Sequence, residues 1–155
     1  MVADAGPVGI RDARAADRAA IREVTLAAYA EYAAGLPQIW QGYRQNILST
    51  LADVGPAEQI VAERQGTIVG AVLLYSPGAK APLETVSPEI RLLAVPPAER
   101  GRGIGAALMQ ECVRRARASG AAALSLHTMD GVLPVRMRQP RPVGQAGRSS
   151  AVCRG

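Results

Sequence analysis

The chain has 155 residues, of which 48% are hydrophobic, enough for one domain with its own core that buries roughly 70% of its unfolded surface. No apolar run approaches the roughly 20 residues of a membrane span, and the start MVADAGPVGIRDAR lacks the charged and apolar regions of a signal peptide, so the sequence reads as cytoplasmic. The net charge of +5 lies wholly in Arg136, Arg138, Arg141, Arg148 and Arg154, because residues 1 to 131 balance, which argues against a folded basic face that grips nucleic acid.

In chain order, residues 8 to 13 read as a short strand. A helix follows, with Asp17 as its cap, Gly35 as its stop, and Ile21, Val24, Ala28 and Tyr32 on one face. Ile39, Tyr43, Ile47 and Leu51 then recur every four residues, which predicts a second amphipathic helix. The stretch AEQIVAERQGTIVGAVLLYS is two strands around the turn Gln65-Gly66, an antiparallel hairpin. A loop rich in proline and small residues, 76 to 88, leads to EIRLLAV, apolar on both faces from Leu92 onward as expected of a central strand.

Next comes a helix from about Gly103 to Ser119, with Ile104, Leu108, Cys112, Met109, Val113 and Ala116 as its buried stripe and Arg114, Arg115 and Arg117 where the helix dipole favours cations. After Gly120, AAALSLHT is a fifth strand, parallel to EIRLLAV through a right-handed crossover. Residues 132 to 155 hold five arginines, three prolines and three glycines, with no acid and no aromatic, and read as a basic, poorly ordered tail. The domain boundaries are therefore 1-131 and 132-155. The two cysteines, Cys112 and Cys153, and the single histidine, His127, offer neither a disulfide framework nor a metal-ligand spacing, so no metal site is expected.

The stretch LLAVPPAERGRGIGAALM places three glycines and two arginines between a strand and a helix. A diphosphate needs several backbone N–H donors aimed at one spot, small side chains for close approach, and a helix N-terminus behind them. Gly101, Gly103 and Gly105 supply the first two, the amides from Gly101 to Ala106 are the first unpaired donors of the helix, and Arg100 and Arg102 add charge. The plain alternative is a glycine-rich turn that merely caps the helix. No Lys-Ser or Lys-Thr follows, so the Walker pattern is absent. A dinucleotide fingerprint fits Gly101, Gly103 and Ala106, but five residues separate strand from glycines, and only 25 residues follow Asp130.

The element order together with RGRGIGA resembles the GNAT family of acetyl-coenzyme A dependent N-acetyltransferases. The family's signature Q/R-x-x-G-x-G/A matches Arg100, Gly103 and Gly105, and EIRLLAVPPAER looks like the family's fourth strand and loop; the likeness covers about residues 8 to 130. It implies an α/β (α+β) fold with a mixed, mostly antiparallel sheet in which strands 4 and 5 are parallel and splay apart. It also implies acetyl-CoA as co-substrate, with the pyrophosphate on Gly101, Arg102, Gly103, Ile104, Gly105 and Ala106 and the pantetheine arm on the backbone of Leu93, Ala94 and Val95.

In this family a neutral primary amine, of a small molecule or a peptide, attacks the thioester directly, and a base first takes the ammonium proton. Glu89 is the first candidate for the base and Glu84 the second, each set against a plain solvated charge at a strand end. His127 reads as a packed side chain near the cleft. Tyr29, Tyr32, Trp40 and Tyr43 lie on the first two helices, either as core or as the lining of an acceptor pocket.

The family continues past strand 5 with a helix bearing a tyrosine that protonates the leaving thiolate, and then two strands. Here Tyr75 is the last aromatic, so that role passes to no residue, and the C-terminal helix and hairpin are expected to be missing. The composition of 132 to 155 resembles either a GC-rich gene read out of frame, with the frameshift expected near codons 131 to 138, or a divergent tail. Strand 5 would then be an exposed edge on which a second copy pairs, giving a homodimer. A catalytically silent module that binds acetyl-CoA or CoA is the alternative to an enzyme, and a basic tail used as an arm for nucleic acid is a third reading.

Overall fold

The structure is a computed structural model that describes residues 6–76, 87–128 and 131–136. The elements run β1 (Gly9–Asp12), a 3-10 turn at Ala15–Asp17, α1 (Arg18–Tyr29), α2 (Glu31–Gly35), α3 (Pro37–Ala52), β2 (Glu58–Arg64), β3 (Thr67–Tyr75), β4 (Glu89–Ala94), α4 (Ile104–Ala118), β5 (Ala123–Thr128) and β6 (Gly131–Arg136). They form one six-stranded sheet in the order β1-β2-β3-β4-β5-β6, antiparallel throughout except for β4 and β5, which are parallel. No helix among the described residues is long and apolar enough to cross a membrane.

The sheet is covered on both faces, and its strands are apolar accordingly. Ile60, Val72, Leu74, Ile90 and Leu124 pack against Ile104, Leu108, Cys112 and Ala116 of α4. On the other face Val61, Ile68 and Ala71 meet Ile21 and Val24 of α1, while Leu73 and Tyr75 pack with Val54, Ala57 and Leu92. Of the expected stripe of α4, Ile104, Leu108, Cys112 and Ala116 are buried, and Met109 and Val113 pack beside them half-buried. Cys112 is wholly enclosed, and burial pushes its thiol up to about 12, which makes it a packing residue.

Several expectations are corrected. The single helix from 17 to 35 is two, because the chain turns at Ala30, and Asp17 does not cap α1: its carboxylate accepts instead from Arg11 Nη1 and the Arg14 amide, both at 2.7 Å. Only Ile47 of the four-residue stripe in α3 is buried, and Ile39 is 56% exposed. The sheet does not stop at β5. Strand β6 pairs along it from Ala123↔Arg136 to Thr128↔Gly131, so the β5 edge proposed for a homodimer is already taken. Pro134 can sit in β6, the outermost strand among the described residues, because an edge position tolerates a missing N–H. The boundary drawn at 131/132 thus falls within β6, and residues 137–155 lie outside the described residues.

Candidate functional site

Strand β4 builds the site by breaking its own regularity. Arg91 pairs with Leu73 and Ala94 with Ala71, so β4 carries one residue more than β3 over this interval, and Leu92 takes φ 49° to fit it. That is a β-bulge, which bends the strand and strengthens its twist. The bend has a direct result on the other side: the parallel pairing with β5 comprises Glu89↔Ser125 and Ile90↔Leu126, and Leu93 and Ala94 run on without a β5 partner among the described residues.

The tip of α4 faces the gap so made. Gly101 and Gly103 sit at φ 77° and 78°, the left-handed region that costs other residues roughly 1–2 kcal/mol, and a Cβ built on either meets nothing within 4 Å. Gly103 is the N-cap; the first helical bond runs from the Ala107 amide to its carbonyl at 3.0 Å, and among the described residues no side chain caps the amides of Ile104, Gly105 and Ala106. Gly105 is an ordinary helical residue whose Cβ would lie 3.7 Å from Val95. A cleft of about 440 Å³ opens over these amides, with Leu93 and Val95 behind and Ala28, Tyr29 and Glu31 opposite. Open space above left-handed glycines and uncapped helix amides fits an anionic group of diphosphate size.

Two features that the sequence reading missed hold this tip in place. A Cβ on Gly70 of β3 would lie 2.9 Å from Ile104 Cγ2 and 3.3 Å from the Ala94 carbonyl, so glycine there lets α4 and β4 close onto the sheet. A glycine inside a strand pattern signals such an approach. Glu99, in the 3-10 turn Pro97–Glu99, accepts from Arg64 at the end of β2 at 2.7 Å and from Arg102 at 3.5 Å, which anchors the loop to the hairpin.

Arg100, expected to add charge at the diphosphate loop, reaches toward β4, α1 and α2. Its Nε donates to the Val95 carbonyl at 3.1 Å, its Nη2 to the Ala28 carbonyl at 3.0 Å, and its Nη1 to Glu31 at 3.1 Å. Tyr29 crosses the same gap, its hydroxyl donating to the Leu93 carbonyl at 3.2 Å. Behind it, Tyr29 and Tyr43 stand edge to face at 5.9 Å, and Trp40 lies 6.4 Å from Tyr43.

Glu89 begins β4 with its side chain fully buried, across from Tyr75 and on the sheet face that looks toward α1 and α3. Arg91 lies on the same strand with Nε 3.7 Å from Oε1 of Glu89. Burial raises the Tyr75 phenol, against the lowering effect of the Arg91 charge. A solvated strand-end charge is thus not what Glu89 is. Glu84 lies outside the described residues, as do the side chains of His127 and Tyr32.

A mixed sheet bulged at its fourth strand, with a glycine turn and bare helix amides at the opening, defines an acyltransferase-type fold. The family model for the acetyltransferase (GNAT) family matches residues 21–136, and the chain belongs to that family. Among solved structures, the chain is similar to a GNAT family acetyltransferase from Brucella melitensis in complex with acetyl-CoA, at 24% identity over 88% of this chain and 92% of that one, with a TM-score of 0.62. It is also similar to a GNAT family acetyltransferase from Staphylococcus aureus, at 13% identity over 80% and 75%, TM-score 0.60. A third likeness is to the PaiA N-acetyltransferase from Thermoplasma acidophilum in complex with coenzyme A, at 18% identity over 79% of each chain, TM-score 0.58. These likenesses concern the fold. No curated protein matches the sequence.

Proposed function

We propose that this chain transfers an acetyl group from acetyl-CoA to a primary amine of a small molecule or peptide by direct attack. The observation that carries the reading is the pair of left-handed glycines under open space at the uncapped tip of α4, beside a β4 that has parted from β5.

Acetyl-CoA, when bound, supplies the activated acetyl group as a thioester. The amides of Gly101 to Ala106 hold its pyrophosphate with the dipole of α4 behind them, and Arg102, 45% exposed on its side chain, brings charge to the rim. The backbone of Leu93, Ala94 and Val95 holds the pantetheine arm along the stretch that β5 leaves open. Holding both reactants in this gap supplies most of the acceleration, because orientation alone removes roughly 7–11 kcal/mol from a bimolecular barrier. Glu89 is the base: it begins β4 where that strand still pairs with β5, on the sheet face that looks toward α1 and α3, and takes the ammonium proton through water. Glu84 is the second candidate for that role.

A second reading, a silent module that binds acetyl-CoA or CoA, rests on one observation, the lack of any tyrosine after Tyr75 to protonate the leaving thiolate. Thiol release from acetyl-CoA in the presence of a panel of primary amines separates the two. Release that depends on amine supports the enzyme, and coenzyme binding without release with any amine supports the silent module.

A further inference from the structure

We propose that Arg100 is a positioning residue that couples the coenzyme loop to the acceptor-side helices, by exchanging Glu31 for the coenzyme diphosphate; this rests on the reading of Gly101 to Ala106 as the diphosphate loop. Arg100 is rooted in that loop, directly before the left-handed Gly101. Its guanidinium nevertheless spends its donors on three other elements: the carbonyl of Val95 after β4, that of Ala28 in the last turn of α1, and the carboxylate of Glu31 at the start of α2. The last turn of α1 has no basic residue of its own, so Arg100 is the cation that meets its carbonyls.

Helix α1 is packed on the sheet through Ile21 and Val24, but α3, which follows α2, has few buried side chains to fix it. Of the sixteen residues of α3 only Ile47 is buried, and Leu36 and Ile39 are 43% and 56% exposed. A bond from the loop to α1 and α2 therefore matters to where α2 and α3 sit. Next to Ala28, Tyr29 bonds to the Leu93 carbonyl, and its ring leads through Tyr43 to Trp40, the only tryptophan of the chain. A change at Arg100 thus reaches a natural reporter.

The direction follows from charge. The Arg100–Glu31 pair is open to solvent, 42% and 49% exposed, so water screens it. A diphosphate beside the same guanidinium offers more charge and more acceptors, and charge-assisted bonds to phosphate are among the stronger ones. Coenzyme binding then draws Arg100 from Glu31, and α2 and α3 are released to take the amine. By linkage, Glu31 and the coenzyme compete, so removing the carboxylate strengthens coenzyme binding.

The test is titration of the full chain with CoA, followed both by calorimetry and by Trp40 emission, in the wild type, Arg100→Met and Glu31→Gln. In the wild type the emission change tracks the heat. Arg100→Met loses the emission change at saturating CoA, and Glu31→Gln binds CoA about two- to five-fold more tightly, the range for an exposed ion pair. A wild type that binds without an emission change, an Arg100→Met that keeps it, or a Glu31→Gln that binds equally or more weakly overturns the proposal. If Arg100→Met does not fold, the surface change Glu31→Gln decides alone. Absence of heat in the wild type is a different failure: it removes the coenzyme reading, and this proposal with it.

Discussion

The hydroxyl of Tyr29, on the last residue of α1, donates to the carbonyl of Leu93 at 3.2 Å, one residue past the bulge that bends β4. The carbonyl is free to accept there because the bulge has taken Leu93 out of pairing with β5. One bond thereby ties the first helix to the stretch of strand assigned to the pantetheine arm.

Tyr29→Phe keeps the ring against Tyr43 and removes only this bond. The expected loss of stability is about 0.5–1.5 kcal/mol by urea unfolding, with CoA binding weakened as Leu93 loses its anchor. Unchanged unfolding and unchanged binding would show that the contact positions nothing.

Gly70 and Gly42 should respond to alanine with opposite signs. At Gly70 the new Cβ is forced against Ile104 and the Ala94 carbonyl, and overpacking of this kind costs about 1–3 kcal/mol. At Gly42, inside α3 with nothing within 4 Å, alanine is expected to stabilise by about 0.5–1 kcal/mol. Denaturant midpoints measure both. A Gly70→Ala chain as stable as the wild type would mean that α4 does not rest on β3 as described.

Much of this was legible in the sequence, for reasons that are physical. The RGRGIGA turn could be read because left-handed backbone and close approach leave glycine as the ready choice, and the α4 stripe because Ile104, Leu108, Cys112 and Ala116 repeat at helical spacing toward one core. The bulge at Leu92 could not, since a leucine carries no mark of a positive φ and the register of β3 against β4 decides it. The break at Ala30 had no Gly or Pro to announce it. The apolar spacing of α3 misled because Ile39 points outward although its period is that of a core face. Strand β6 was hidden by arginines and prolines, whose composition reads as a tail until β5 offers them a ladder. In the candidate site, the glycines were visible as a local motif, whereas the contacts of Arg100 with Ala28 and Glu31 span about seventy residues of sequence and needed the fold.

Glu89→Gln keeps the shape of the buried side chain and removes the proton acceptor. The expected result is a fall in kcat of roughly 10²–10⁴-fold, the usual worth of a general base, with CoA binding retained. A kcat within a few-fold of the wild type would move the role to another group, Glu84 first.

Acid should weaken the fold through two carboxylates away from the cleft. The hydrogen bond from Arg11, with one from the Arg14 amide, holds Asp17 at about 2 instead of 3.8, and the hydrogen bond from Arg114 holds Glu111 at about 2 instead of 4.5. Because the folded values are the lower ones, their contribution is complete above about 4.5 and is lost as pH falls toward about 2. Thermal melts of the wild type are expected to fall over that window, and those of Asp17→Asn with Glu111→Gln to start lower and fall less. Equal slopes in the two chains would contradict these ion pairs.

Calorimetry with acetyl-CoA tests the central claim most directly, comparing the wild type with Gly103→Glu and Gly105→Glu. The second variant adds a carboxylate at the same tip without a left-handed φ to strain it. The account predicts saturable binding in the wild type and its loss in both variants, with Gly105→Glu still folded by its melt. Binding that survives a carboxylate at either glycine, or a wild type that gives no heat, would contradict it.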